Sequence, residues 1–321
     1  MRAVVQDVYG DSEVLRVDDV PVPEPGAGEV RVAIRAAGVT MGDWHLMTGS
    51  PEIARLALGR TAPKQRVRGM EASGVIEALG AGVTRFAIGD EVFGWISGSF
   101  ADQAVVAEGL IAPKPAAVSH EDAATVTFGG STALHAVRAL RITAGDEVLV
   151  IGAGGGVGVF ATQLAVAAGA RVTGVCSAGK AQLVRSLGAV EVVDYRVDDL
   201  TRFAGRFAGI VDIAGARPIG MLRRLARKGG TVALVGAEGG GRLVGELGRN
   251  LRAMLLAPFV PQRFATVMAP NEGADVEELR RLLEAGSLRS PVGARYPLEQ
   301  APRALDDLAA GRIAGKAVVV P

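Results

Sequence analysis

The chain has a single cysteine in 321 residues, Cys176, which excludes an intrachain disulfide and any zinc site built from several cysteines. A buried, inert thiol is the expected state of that side chain. No apolar run reaches the roughly eighteen residues a membrane span requires, and Met1-Arg2-Ala3-Val4-Val5-Gln6 begins a strand with no signal-peptide pattern. A cytoplasmic protein without a membrane partner is expected. Neither sign of charge dominates, with 35 Lys and Arg against 34 Asp and Glu, so the electrostatic footprint of a nucleic-acid binder is missing. Internal repeats and low-complexity linkers are also missing. The length is enough for two domains, each with its own core, and a soluble enzyme is expected.

The most informative stretch is Val148-Leu149-Val150-Ile151-Gly152-Ala153-Gly154-Gly155-Gly156-Val157-Gly158-Val159-Phe160. Four apolar residues rich in β-branched types read as a strand buried on both faces, and Ala161 to Ala168 has the composition of a helix packed closely on a sheet. A strand turning straight into a helix aims unpaired N–H groups and the positive end of the helix dipole at the turn, and glycines let a pyrophosphate approach the backbone. Gly152, Gly154, Gly155, Gly156, Val157 and Gly158 are therefore candidate dinucleotide contacts, although Gly152-x-x-Gly155-x-x-Gly158 departs from the strict fingerprint.

The next strand, Arg171 to Val175, bears on which dinucleotide binds. A site for NAD would end it with an acid for the ribose hydroxyls. The chain reads instead Cys176-Ser177-Ala178-Gly179-Lys180, offering a hydroxyl and an ammonium where a 2′-phosphate would sit, with Tyr195 and Arg196 further on. NADPH is the expected cofactor; a solvated Lys180 opening the next helix is the alternative.

The N-terminal third is rich in short strands between turn signals: Val30 to Val39, Gly74 to Gly80 and Asp90 to Trp95 suggest a barrel-like β domain. Ser119-His120-Glu121-Asp122 looks like a helix start, and an Ala-rich segment leads on to Leu140. Strands at Glu191–Asp194, Ile210–Ile213 and Gly230–Val235 alternate with helices at Ala181–Leu187 and Ile219–Arg227, the pattern of a doubly wound parallel sheet. Arg263–Met268 reads as an edge strand, Val276–Ala285 and Ala301–Ala310 as helices, and Ala317–Val320 as a strand returning to the first domain. The expected division is 1–122 with 287–321 for the β-rich domain and 123–286 for the cofactor domain, an α/β protein overall.

A β domain, an inserted Rossmann domain and the strand Gly315-Lys316-Ala317-Val318-Val319-Val320 together resemble the medium-chain dehydrogenase/reductase superfamily, whose β domain is GroES-like. Within it, the glycine-rich turn, Gln163-Leu164-Ala165, Gly169-Ala170-Arg171-Val172, Leu187-Gly188-Ala189 and Val193-Asp194-Tyr195-Arg196 look like the quinone oxidoreductase and enoyl reductase branch. Zinc alcohol dehydrogenases of the superfamily carry Gly-Val-Cys before x-x-Asp, and Gly-His-Glu some thirty residues on. Here those places read Gly38-Val39-Thr40-Met41-Gly42-Asp43 and Gly69-Met70-Glu71, so a metal-free enzyme is expected. Without a Lewis acid, simple alcohol oxidation becomes difficult, whereas conjugate reduction needs only hydrogen-bond donors for the developing enolate. The Tyr-x-x-x-Lys pair of short-chain reductases is absent as well.

The resemblance implies a substrate cleft between domains, lined by Thr40-Met41-Gly42-Asp43-Trp44-His45-Leu46-Met47. His45 stands where related reductases often have a tyrosine and is a candidate proton donor, with a packed structural role as the alternative. Asp43 is expected to hold the loop rather than to transfer protons, and the Thr40 hydroxyl to meet cofactor or substrate. Thr132 resembles a residue beside the nicotinamide, or it caps a helix with Ser131; Gly236 borders the same end, and Lys316 reaches the cofactor or lies on the surface. The resulting expectation is an NADPH-dependent, zinc-independent reductase of a small conjugated carbonyl, homodimeric through the edge strand. The alternatives are a ketone reductase using His45 or water as donor, and a non-catalytic NADPH-binding protein.

Overall fold

The computed structural model describes residues 1–235 and 247–321. Contacts divide the chain into two units, 1–131 with 270–321, and 132–269. The first opens on an antiparallel pair, β1 (Arg2–Gln6) and β2 (Leu15–Asp19). Its spine is β3 (Glu29–Val39), in which Val30, Val32, Ala33 and Ile34 are buried while Arg31 and Arg35 are not. Helix α1 (Met41–Thr48) and the single turn α2 (Arg55–Leu58) follow, then β4 (Glu71–Leu79), β5 (Glu91–Gly94), β6 (Gln103–Ala107) and β7 (Ile111–Pro113). Both β4 and β6 pair antiparallel with β3. The segment 51–60 thus contains a 3-10 turn and one short α turn, stopped by Gly59 at φ 124°. Helix α3 (His120–Ala124), capped by the Ser119 hydroxyl, precedes α4 (Thr127–Leu140).

The second unit alternates β8 (Glu147–Ile151), α5 (Gly158–Ala167), β9 (Arg171–Cys176), α6 (Ala181–Ser186), β10 (Glu191–Asp194), β11 (Phe207–Asp212), α7 (Ile219–Leu225), β12 (Ala226–Leu234), α8 (Leu247–Leu256) and β13 (Arg263–Thr266). The sheet is parallel throughout, in the order β10-β9-β8-β11-β12-β13. This is the doubly wound Rossmann order, with the glycine turn after its central strand β8. Val148, Leu149, Val150 and Ile151 are all buried, because helices cover both faces of such a sheet.

The chain then returns to the first unit through α9 (Gly273–Glu284), β14 (Val292–Pro297), α10 (Ala301–Ala309) and β15 (Lys316–Val320). The sheet there runs β14-β15-β3-β4-β5-β7, with β6 also on β3. Leu305 and Val319 join Val30, Val32, Ile76, Val92 and Phe100 in one core.

The division differs from the one expected. Helix α9 packs against β7, and Leu279 lies against the backbone of Gly130, so this helix belongs to the first unit and not to the Rossmann unit. An amphipathic period announces that a helix buries one face, not which core receives it. Likewise α7 ends at Leu225, and β12 begins early at Ala226, which pairs with Phe207 before a bulge.

Gly158 shows how close the turn is wound: a Cβ there would fall 2.1 Å from the Gly152 carbonyl oxygen. Gly158→Ala is therefore expected to lose about 1–3 kcal/mol in urea melts through overpacking against backbone that cannot yield. A melt unchanged from wild type would show that the turn relaxes freely.

Candidate functional site

In the first unit, α1 is built by a capping box. The Thr40 hydroxyl accepts from the Asp43 amide at 3.2 Å, while Asp43 Oδ2 accepts from the Thr40 amide at 2.9 Å and the Thr40 hydroxyl at 2.7 Å. Both side chains are buried and engaged with each other, so Thr40 and Asp43 hold the loop as a unit. Asp43 Oδ1 has no partner among the described residues. Burial, with Glu71 as a nearby like charge, pushes the Asp43 carboxyl up to about 7, against the opposing hydrogen bonds from Thr40 and the charge of Arg68.

His45 projects from the same helix, its ring edge-on to Trp44 at 5.3 Å. Its Nδ1 lies 2.9 Å from the Ser50 carbonyl oxygen. A carbonyl only accepts, so Nδ1 carries the proton and the neutral ring presents Nε2 as an acceptor. Burial lowers the pKa of the ring, partly offset by the Ser50 bond, which favours this neutral form.

Beside α1 lies a feature that sequence reasoning missed. Lys316 Nζ and Glu71 Oε1 are 3.1 Å apart, with side-chain exposures of 2% and 0%. Glu71 Oε2 accepts from the Phe128 amide at 2.7 Å, taking one of the unpaired N–H groups at the start of α4. The carboxylate reaches Lys316 past Gly38, where a Cβ would sit 2.4 Å from Glu71 Oε1. Lys316 is thus neither a surface strand lysine nor an extended arm: its ammonium is held by Glu71. The available signal was Gly38, a glycine inside a strand.

In the second unit, Gly152 (φ 91°) starts the turn, and Gly154 is buried beneath Lys180. A Cβ on Gly154 would fall 2.8 Å from Lys180 Cβ and 2.9 Å from its Cδ, so the lysine stem lies across the glycine turn. Ser177 precedes it at the end of β9. The carboxylate of Asp194, on neighbouring β10, accepts from the Ala178 amide at 3.1 Å and the Arg196 amide at 3.0 Å, and so fixes the loop that carries Ser177 and Lys180. Tyr195 is half exposed, with the Arg196 guanidinium 5.6 Å from its ring centre. Cys176 is buried, and burial raises its thiol pKa. Thr132 and Ser131 lie inside α4, five and four residues past its first residue, so neither caps it. Asp212, at the end of β11, is buried, its pKa raised by burial, and paired with Arg249 of α8. Gly155, Gly156 and Val157 complete the turn between β8 and α5, and Gly236 lies outside the described residues.

Residues 26–116 match the family described as alcohol dehydrogenase GroES-like domain, and residues 187–319 that described as zinc-binding dehydrogenase. The chain is 32% identical to a quinone oxidoreductase of Pseudomonas aeruginosa, over 98% of this chain and 97% of the relative. It is 37% identical over 94% of its length to a spectinabilin polyketide synthase system protein of Streptomyces orinoci, of which it spans 14%. A mycobacterial structure complexed with NADPH superposes with a TM-score of 0.83 at 30% identity, covering all of both chains. The chain belongs to the medium-chain dehydrogenase/reductase superfamily, in its quinone oxidoreductase branch. It is an oxidoreductase that uses a nicotinamide cofactor.

The zinc that one of these family descriptions implies does not fit the side chains present. Thr40 and Asp43 bind each other, Glu71 binds Lys316, and the Met70 thioether lies beside Gly42, where a Cβ would sit 2.7 Å from its sulfur. Among the described residues, no group of three or more His, Cys, Asp or Glu side chains is disposed to hold a metal ion.

Two measurements check this reading of the first unit. Glu71→Gln removes the carboxylate charge that faces the buried Lys316 ammonium, and a loss of roughly 3–5 kcal/mol in denaturant melts is expected, largely restored in Glu71→Gln/Lys316→Met. Asp43 has a folded pKa above its unfolded one, so the folded state binds the extra proton, and its contribution, full below about pH 4, is lost as pH rises towards 7. Asp43→Asn keeps the capping acceptor and cannot titrate. Its melting temperature should match wild type at about pH 4 and exceed it at pH 8, and equal differences at the two pH values would contradict the assignment.

Proposed function

We propose that the protein is an NADPH-dependent, zinc-independent reductase of conjugated carbonyls, of the quinone, enone or enoyl class. The observation that carries the cofactor choice is Lys180 lying across Gly154, next to Ser177, with no carboxylate at the end of β9 and with the neighbouring Asp194 engaged by two backbone amides. Gly152 and the turn Gly154-Gly155-Gly156-Val157-Gly158 would hold the pyrophosphate at the N-terminus of α5, Ser177, Lys180 and Tyr195 the adenosine end, and Thr132 and Gly236 the nicotinamide end. The bound cofactor supplies a hydride, which leaves it oxidised. The NADPH in the mycobacterial structure and the names of the relatives support the same reading.

The donor set around Thr40, Met70 and Glu71 supports chemistry without a metal. His45, neutral and with its proton on the Ser50 side, favours conjugate reduction over ketone reduction: an enolate is stabilised by hydrogen bonds and takes its proton from water, whereas an isolated ketone demands a ready acid. Lys316 enters as a positioning residue through Glu71. On the Rossmann unit, exposed Leu251, Met254 and Leu255 of α8, with Phe259 (83% exposed) and Met268 (84%) flanking the edge strand β13, support a homodimer through this face. A cytoplasmic location remains part of the proposal; among the described residues no helix is long and apolar enough to cross a membrane.

Purified protein should consume NADPH with a quinone or an enone and leave the matched saturated ketone unreduced, with products identified by mass and NMR. Turnover of the ketone alone would overturn the reading. Lys180→Ala should weaken NADPH roughly tenfold or more and leave NADH unaffected, as expected for one charge-assisted contact to the 2′-phosphate. The solution mass should be twice 33.0 kDa, and a monomer would remove the dimer.

A further inference from the structure

The first unit contains a pocket of about 180 Å³ that none of the chemistry above uses, lined by Tyr9, Leu46, Ala57, Leu58, Pro63, Lys64, Gln65 and Arg68. Its size compares with the roughly 150 Å³ cavity that accepts a benzene ring. The walls from Leu46, Ala57, Leu58 and Pro63 are apolar, and Tyr9 is fixed by its hydroxyl, which donates to the Gly59 carbonyl at 2.9 Å.

Arg68 is the unusual member. It is 3% exposed, and its backbone is pinned between the Val4 carbonyl and the Phe100 amide. One terminal nitrogen donates to the Gln65 carbonyl, while Nε is buried without an acceptor. Among the described residues no carboxylate forms an ion pair with this guanidinium; Asp43 acts on it only through its field, and burial lowers its pKa. Lys64, the other cation of the lining, is exposed and likewise outside any ion pair, and the lining contains no acid. A buried guanidinium with unused donors is costly to maintain, and a carboxylate is the group its planar fork matches.

We propose that this pocket binds the carboxylate end of a short acyl chain, with Arg68 as the anion contact, Lys64 at the rim and the apolar wall around the chain. The one buried positive charge, with Lys64 at the exposed rim, suits a monoanion better than a phosphate dianion. Leu46 lies on α1 next to His45, so the pocket adjoins the loop assigned to the substrate. That the carboxylate belongs to the substrate rests on the reductase reading above; that the pocket takes a carboxylate does not.

Hexanoate titrated into the full chain by calorimetry should bind roughly tenfold to a hundredfold more tightly than methyl hexanoate or inorganic phosphate. Arg68→Gln should abolish that preference and Arg68→Lys weaken it. Should the buried substitution prevent folding, Ala57→Trp fills the pocket from an exposed position and should block hexanoate while NADPH binding persists. Equal binding of acid and ester, phosphate binding as tightly as hexanoate, or hexanoate binding untouched by Ala57→Trp would each overturn the proposal. In turnover, an enone bearing a terminal carboxylate should show a kcat/KM at least tenfold above its methyl ester, the difference vanishing in Arg68→Gln. Reduction of both at equal rates would overturn the substrate role and leave the reductase standing. Hexanoate binding through Arg68 with neither quinone nor enone reduced would overturn the reductase and leave the pocket standing.

Discussion

The first unit depends on one buried ion pair. Glu71 stands at the start of β4, Lys316 at the start of β15, and β3 runs between them, with Gly38 opposite Glu71 in the register. Two opposite charges out of water are tolerated only when their remaining capacity is used, and here Glu71 also takes the Phe128 amide. The pair therefore fixes three things together: the pairing of the returning strand, the start of α4, and the absence of any side chain at position 38. Asp43 feels Glu71 as a like charge, so the loop carrying Thr40 and His45 is electrically coupled to the start of β4.

The polar side chains around α1 are engaged with one another. The positions that carry cysteine and histidine in the zinc enzymes carry Thr40 and Met70 here, one bound to Asp43 and the other set against Gly42. The interior remains polar, but its polarity is settled among its own side chains. In the Rossmann unit the opposite holds, since a glycine turn and a helix terminus leave backbone donors facing outward and Lys180 adds a charge from the side.

Much of this was legible in the sequence because it depends on local spacing. The run Val148 to Ile151, the glycines after it and the strands at Arg171, Glu191, Ile210 and Gly230 declare a parallel sheet through their composition. The capping of α1 by Thr40 and Asp43 is an N-cap followed three residues later by an acid, with Asp43 the residue expected from sequence to hold this loop and Thr40 the one expected to meet cofactor or substrate. What escaped were pairings between distant residues. Nothing near Lys316 names Glu71, nothing near Asp212 names Arg249, and the buried state of Arg68 follows from its place between β1 and Phe100. The grouping of helix α9 with the first unit is of the same kind: its period gives a face, and only tertiary contact gives the partner.

The order of the strands also governs the order of events during synthesis. All of the second unit's residues have been made by Ala269, while the first unit, begun earlier, lacks β14 and β15 until Val320 has been added. Over that interval β3 has an open edge where β15 will dock, and Glu71 has no counter-ion. The residues of the second unit are thus all made before the last of the first unit's, whose sheet waits for β14 and β15.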